Sequence, residues 1–181
     1  MTSKQQGSAT TDAQGLPLSD RGPSGGVLIV DFGAQYCQLI ARRIRELGVY
    51  SRITVPERAM FTFQAMRPAA VILSGGPRSV YEHDAPALDP QILHQGVPVL
   101  GICYGLQWMA QNLGGEVTPA QSGAEYGRTE LQRVETHGFL EGVRDNGIVW
   151  MSCGCDSRKP AAVTRKNFAC CVSSASVRAP Q

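Results

Sequence analysis

A single cysteine, Cys103, stands between two glycines in the stretch GICYGLQ, residues 101–107. An apolar run ends there and a helical pattern begins, and a Gly-x-Cys-x-Gly pattern at such a junction is the cysteine form of the nucleophile elbow. Gly101 and Gly105 suit that turn because strand and helix pack too closely for side chains. The start of a helix also stabilises a thiolate. The pattern alone, however, equally suits a small buried hydrophobe at a strand end.

A glycine loop after a neighbouring apolar run favours the nucleophile. Ser74-Gly75-Gly76-Pro77 directly follows the apolar residues 70–73. Glycine lets the main chain approach a ligand closely, and the proline stiffens the loop. The backbone N–H groups of Gly76 and Tyr104 would together form an oxyanion hole for acyl transfer.

Strand-like and helix-like segments alternate through the body of the chain, joined by short connections. Buried strands are predicted at 27–30, 50–55, 70–73 and 97–102, and helices at 35–47, 86–94 and 104–113, with a short helix within 57–67. Further strands are predicted at 131–136, as part of an antiparallel extension, and at 148–151. This alternation predicts an α/β fold, an open and mostly parallel sheet flanked by helices. Functional groups then gather at the carboxyl ends of the strands, where Cys103 lies.

Composition divides the chain into three parts. Residues 1–25 are polar, lack the apolar core of a signal peptide and are expected to form a disordered leader. Residues 26–152 carry the domain. Residues 153–181 show no sustained period and are expected to form an irregular, divergent tail. Four of the six cysteines lie in that tail, with C-x-C and C-C spacings that do not match known zinc frameworks, so no metal site is predicted.

Charge and hydropathy exclude several function classes. A net charge of +2 gives no support for a nucleic-acid partner. No apolar run is long enough to cross a bilayer, so no membrane partner is predicted. Together with the polar N-terminus, these observations favour a cytoplasmic protein.

Several blocks carry a resemblance to the class I glutamine amidotransferases. The stretch GICYGLQ is similar to that family's active-site motif, and its Tyr and Leu are similar to the GMP synthase branch. Supporting blocks occur in the expected order: DFGAQYCQLIARRIRELGVY at 31–50, ILSGGPRSVY at 72–81, EYG at 125–127 and VWMS at 149–152. The resemblance implies a flavodoxin-like sheet, whose C-terminal part we expect to be incomplete in this chain.

The resemblance also implies an activity, that of a ligase. Glutamine is hydrolysed through a glutamyl thioester, and the ammonia passes to an ATP-pyrophosphatase (synthetase) domain or subunit that aminates XMP to GMP. The site residues implied are the nucleophile Cys103, the oxyanion-hole residues Gly76 and Tyr104, and the glutamine-binding residues Gly75, Gln107 and Ser152. No cofactor is implied in this domain. ATP and Mg²⁺ belong to the synthetase part, whose S-G-G-V-D-S phosphate loop does not occur in this sequence.

A cysteine nucleophile of this kind works with a histidine base and an orienting group. The family takes both from a late F-H-P-E strand end, but the histidines of this sequence, His83, His94 and His137, precede that point and match no such motif. Where the family reads M-S-H-G-D, this sequence reads M-S-C-G-C from Met151. We therefore expect a frameshift or truncation after Ser152 and an inactive chain.

Two functions remain open from the sequence. One is a glutaminase that serves a synthetase, and the other is an inactive fragment or non-catalytic subunit of the same fold, without the His and Glu of the triad. A third class, an α/β hydrolase or peptidase with the same elbow, is disfavoured by the DFGAQY and SGGP blocks.

Overall fold

The computed structural model describes residues 24–80, 82–83, 85–119, 125–131, 147–153, 155–158 and 168–170. The predicted leader lies outside these residues except for its last two positions. Most of the predicted tail lies outside them as well.

The described residues form nine strands and three α-helices. The strands are β1 (Val27–Val30), β2 (Ser51–Thr54), β3 (Ala70–Leu73), β4 (Val99–Gly101), β5 (Glu116–Pro119), β6 (Glu125–Leu131), β7 (Gly147–Cys153), β8 (Cys155–Arg158) and β9 (Phe168–Cys170). The α-helices are α1 (Cys37–Glu46), α2 (Ala59–Met66) and α3 (Tyr104–Asn112), and 3₁₀ turns span Pro56–Arg58 and Pro90–His94.

Five of the strands form one parallel sheet in the order β2-β1-β3-β4-β9. In this register Ile29 of β1 lies between Ile53 of β2 and Ile72 of β3. The predicted α/β class with an open parallel sheet is confirmed. Two antiparallel pairs, β5–β8 and β6–β7, form separate two-stranded sheets.

The interior strand β1 is covered on both faces, as its continuous apolar sequence predicts. Leu28 and Val30 belong to the larger core cluster, which α2 and α3 complete. Ile29 points the other way because successive strand residues alternate between faces, and it packs with Cys37 and Ala41 of α1. The helices therefore cover both sides of the sheet. No described helix is both long enough and apolar enough to span a membrane.

The helix predicted at 86–94 is wrong in length, since only the five-residue 3₁₀ turn Pro90–His94 forms. Pro86 and Pro90 carry no backbone N–H, so a helix cannot run through both positions. Instead, Asp89 caps the turn by accepting a hydrogen bond from the backbone N of Gln91 at 2.9 Å.

The C-terminal strands also differ from the sequence prediction. The strand predicted at 131–136 begins earlier, as β6 from Glu125, and residues 132–136 lie outside the described residues. Within residues 153–181, predicted to be irregular, β8 and β9 form short strands. Three residues are too few to show a period, but the edge of β4 offers them an unfilled row of backbone hydrogen-bonding groups.

Candidate functional site

The carboxyl ends of β3 and β4 bring the elbow and the glycine loop together. Cys103 is the N-cap of α3, with φ +46° and ψ −110°, and is half-buried. A positive φ is strained for any residue with a side chain, and such strain is concentrated at functional sites. The conformation places Cys103 at the tip of a sharp turn, as the elbow pattern predicts.

Two glycines make that turn possible. A Cβ added to Gly101 would lie 2.8 Å from the backbone N of Leu106, which is closer than real Cβ contacts allow. A Cβ added to Gly105 would overlap the backbone carbonyl of Leu73. The sequence requires glycine at both positions because α3 packs too closely on β4 at Gly101 and on β3 at Gly105 to leave room for side chains.

The glycine loop lies directly beside the nucleophile candidate. A Cβ on Gly75 would stand 3.5 Å from the Cβ of Cys103, and one on Gly76 would stand 2.8 Å from the carbonyl oxygen of Phe32. Among the hydrogen bonds found within the described residues, none uses the backbone N–H of Gly76 or that of Tyr104. The glycine loop thus lies against both Cys103 and Phe32.

Ser74 links this loop to its neighbours and was not recognised from the sequence as more than the first residue of the glycine loop. Its backbone N donates to Val30 O, and its backbone O accepts from Gly105 N, both at 3.0 Å. Its hydroxyl accepts from Phe32 N at 3.0 Å and donates to Gly75 O at 2.8 Å. The side chain is fully buried. The sequence does not predict the hydrogen bonds of this buried serine because its partners are main-chain groups.

Residues of α3 hold the segment that follows the glycine loop. The side-chain oxygen of Gln107, a buried residue, accepts a hydrogen bond from Val80 N at 3.3 Å. The hydroxyl of Tyr104 donates to Pro86 O at 2.8 Å. Burial, followed by the negative charge of Glu82, raises the pKa of this tyrosine. Gln107 therefore lies near the elbow, with its carbonyl oxygen already engaged by the protein.

The second described cysteine has a different environment. Cys37 is buried at the start of α1, and its Sγ donates to Asp31 Oδ1 at 3.0 Å. The same carboxylate oxygen accepts from Gly33 N and Ala34 N, at 2.8 and 3.1 Å. Burial raises the pKa of the Cys37 thiol to about 11. The Ser74 hydroxyl partly offsets this increase in pKa, and the Asp31 carboxylate adds to it. Cys37 is therefore a protonated hydrogen-bond donor at neutral pH.

The remaining predicted residues lie elsewhere or outside the description. Ser152 belongs to β7 and pairs with Tyr126 of β6, in a two-stranded sheet separate from the one that carries Cys103. His83 is exposed in the segment after the glycine loop, and His94 is exposed before the amino end of β4. His137 lies outside the described residues. Within those residues, no three of His, Cys, Asp and Glu form a cluster suited to a metal ion.

Comparisons with known proteins agree with this geometry. The family model described as glutamine amidotransferase class-I matches residues 28–176. The chain is 50% identical over 139 residues to a glutamine-hydrolysing GMP synthase of Prochlorococcus marinus subsp. pastoris, covering 77% of this chain and 26% of that protein. It is 55% identical over 130 residues to the GMP synthase of Corynebacterium jeikeium, covering 71% and 24%. The chain thus spans about a quarter of the length of these curated relatives.

Solved structures share the same architecture. A protein from Thermoplasma acidophilum, described as part of a GMP synthase, aligns with a TM-score of 0.65 and 25% identity over 75% of this chain and 67% of its own. A glutamine amidotransferase from Thermotoga maritima aligns with a TM-score of 0.62 and 24% identity, over 80% and 66%, which supports the fold alone. The strained elbow, the glycine loop beside it and the family match together show that the chain belongs to the class I glutamine amidotransferases.

Proposed function

We propose that the chain is the glutaminase part of a GMP synthase, which hydrolyses glutamine at Cys103 and supplies ammonia for the ATP-dependent amination of XMP to GMP. The observation that carries this proposal is the positive φ of Cys103 at the β4–α3 turn, beside the glycine loop. The names of the curated relatives support the choice of GMP synthase within the family.

The chemistry proposed for Cys103 proceeds in two steps. The thiolate sulfur attacks the side-chain amide carbon of glutamine, and the electron pair of the C=O bond moves to oxygen. The N–H groups of Tyr104 and Gly76 receive this oxyanion. When the oxyanion collapses, the C–N bond breaks, the nitrogen takes up the proton released by the thiol, and ammonia leaves. Water then hydrolyses the glutamyl thioester, which releases glutamate and restores the thiol.

The other substrates belong to a part outside the described residues. In this proposal the glutaminase domain binds glutamine and needs no cofactor, while ATP and Mg²⁺ act in a synthetase domain or subunit. Glutamine would lie against Gly75 and the elbow, with Gln107 and Ser152 as the further binding residues. A cytoplasmic location and a role in purine biosynthesis are parts of the same proposal.

The alternative is a non-catalytic member of the same fold. It is favoured by the sequence after Ser152, where the family's His-containing motifs do not occur. Such a protein would keep the elbow and the glycine loop but would lack the base that moves the thiol proton during turnover.

Reaction with a glutamine-derived diazoketone, 6-diazo-5-oxo-L-norleucine, tests the proposal on the full chain. We expect peptide mass spectrometry to find the label on Cys103, protection by glutamine, and no label at this position in Cys103→Ala. Cys37→Ala is the matched control and should be labelled normally, because Cys37 is buried and protonated. Glutamate release from glutamine, measured with and without a GMP synthase synthetase domain, ATP and XMP, then separates the two functions. Labelling with no release under either condition would support the non-catalytic alternative.

A further inference from the structure

We propose that Ser74 is a positioning residue whose hydroxyl fixes the Gly75–Gly76 peptide, so that the Gly76 N–H faces the oxyanion formed at Cys103. This inference rests on the proposed glutaminase function and deepens it. Ser74 itself touches no substrate atom in this scheme. It acts through the peptide group that follows it.

The hydroxyl holds one end of the peptide that carries the oxyanion donor. Ser74 Oγ donates to Gly75 O at 2.8 Å, and this carbonyl belongs to the same peptide group as the N–H of Gly76. In a trans peptide the C=O and N–H bonds point in opposite directions within one plane. Fixing the direction of the Gly75 carbonyl therefore fixes the direction of the Gly76 N–H.

Such a constraint matters because two consecutive glycines offer little resistance to rotation of the peptide between them. Pro77 restricts the backbone of Gly76 but not the rotation about the Cα–C bond of Gly75. On the far side of the loop, Gly76 packs against the carbonyl of Phe32, where a Cβ would stand 2.8 Å away. The Ser74 hydroxyl completes the arrangement by accepting from Phe32 N at 3.0 Å.

The Ser74 hydroxyl has one proton, and Gly75 O is the stronger of the two acceptors near it. The neighbouring Cys37 thiol donates its own proton to Asp31 Oδ1 at 3.0 Å, so its sulfur is left only as a weak acceptor. The carbonyl oxygen of Gly75 is a much stronger acceptor at 2.8 Å. Since Phe32 N occupies a lone pair of the hydroxyl oxygen, the Ser74 proton is directed to Gly75.

Ser51 provides a matched control for a purely structural role. It is also a buried serine, and its Oγ donates to Ala41 O and accepts from Arg45 Nε, both at 2.9 Å. It opens β2, so it lies at the amino edge of the sheet, whereas Ser74 follows the carboxyl end of β3. Ser51→Ala removes a comparable buried hydroxyl away from the elbow.

The test compares two reactions of Cys103 in the full chain. Glutamate γ-semialdehyde adds reversibly to the thiol and forms a hemithioacetal whose oxygen occupies the oxyanion position, whereas iodoacetamide alkylates the thiol without forming an oxyanion. Wild type, Ser74→Ala, Ser51→Ala and Cys103→Ala are compared by apparent Kd for the aldehyde and by the alkylation rate of the Cys103 peptide. Circular dichroism confirms that each variant is folded.

We expect Ser74→Ala to weaken aldehyde binding about tenfold or more, since loss of an entire oxyanion-hole donor costs about 10²–10³ in rate and a misdirected donor costs part of that. Its alkylation rate should stay within about twofold of wild type, and Ser51→Ala should alter neither quantity. If Ser74→Ala does not fold, Ser74→Cys, which keeps the volume but donates weakly, should show the same selective loss.

Two results would overturn the inference alone: equal aldehyde affinity in wild type and the Ser74 variants, or equal losses in the Ser74 and Ser51 variants. If wild-type Cys103 is alkylated by iodoacetamide but does not bind the aldehyde, the glutaminase proposal fails and the role of Ser74 fails with it.

Discussion

Gly105 packs directly on the backbone of Leu73, with no space between them for even a methyl group. The next residue after Leu73 continues the contact, since Gly105 N donates to Ser74 O at 3.0 Å. This approach of α3 to the end of β3 sets the position of Cys103 relative to the glycine loop. The elbow is thus held by backbone contact as well as by its own turn.

Gly105→Ala should therefore destabilise the fold by about 1–3 kcal/mol, the usual cost of overpacking a core. Urea unfolding followed by circular dichroism measures this change. Gly114→Ala is the comparison, because a Cβ there meets open space and only its φ of +81° is unfavourable. Since Gly105 is helical and has no positive φ, a Gly105→Ala variant as stable as wild type would contradict the overlap with Leu73.

The conformation of Cys103 predicts an unusual order of stabilities. Because φ is +46° at this position, Cys103→Gly should be more stable than Cys103→Ala by about 1 kcal/mol, the lower end of the cost of a strained backbone. In an ordinary helix the order is reversed, since glycine is the weaker helix former. Thermal and urea unfolding of the two variants provide the measurement. An alanine variant as stable as the glycine variant would contradict strain at the elbow.

Cys37 should make the stability of the fold depend on pH in the alkaline range. Its folded-state pKa is raised to about 11, so the unfolded chain loses this proton at a lower pH than the folded chain does. The contribution is complete below the ordinary thiol pKa of about 8.5 and is lost as the pH rises from there to about 11. Below this range, the unfolding free energies of wild type and Cys37→Ala should change with pH in parallel. Within the range, the unfolding free energy of wild type should fall more steeply with rising pH than that of Cys37→Ala. Parallel curves throughout would contradict the raised pKa.

The two described histidines should be dispensable for the reactivity of Cys103. His94 precedes the amino end of β4, and His83 is exposed after the glycine loop. We expect His83→Ala and His94→Ala to leave the pH profile of Cys103 alkylation by iodoacetamide unchanged. Loss of the low-pH reactivity in His83→Ala alone would instead identify His83 as a base.

Part of the sheet was predictable because β1 and β3 are apolar over their whole length. The runs at 27–30 and 70–73 match β1 and β3 in their bounds, and the glycines around Cys103 marked the elbow. The helix predicted at 86–94 does not form because Pro90 lies inside it and has no backbone N–H, so only the 3₁₀ turn Pro90–His94 is present. β9 was missed because three residues carry no period and owe their conformation to the edge of β4.

The sequence predicted the candidate site only at positions where the residue type itself indicates a role, such as a cysteine or a glycine in a sharp turn. Cys103, Gly75, Gly76 and Tyr104 followed from the elbow and the glycine loop, and the structure brings them together. The hydrogen bonds of Ser74 were not predictable from the sequence. All four described partners are main-chain N–H or C=O groups, which do not depend on residue type. The contact of Gln107 with Val80 was missed for the same reason.

The pairing of β9 with β4 has a consequence for the order of folding. The four strands β2, β1, β3 and β4 come from residues 27–101 and can assemble through comparatively local pairings. β9 reaches the sheet only after residues 102–167 have been synthesised, and closing so long a loop delays its pairing. During that interval β4 is an open edge that can pair with a strand of another chain. Chaperoning of the nascent chain over this segment should therefore increase the yield of folded protein, whereas slow synthesis of the segment should decrease it.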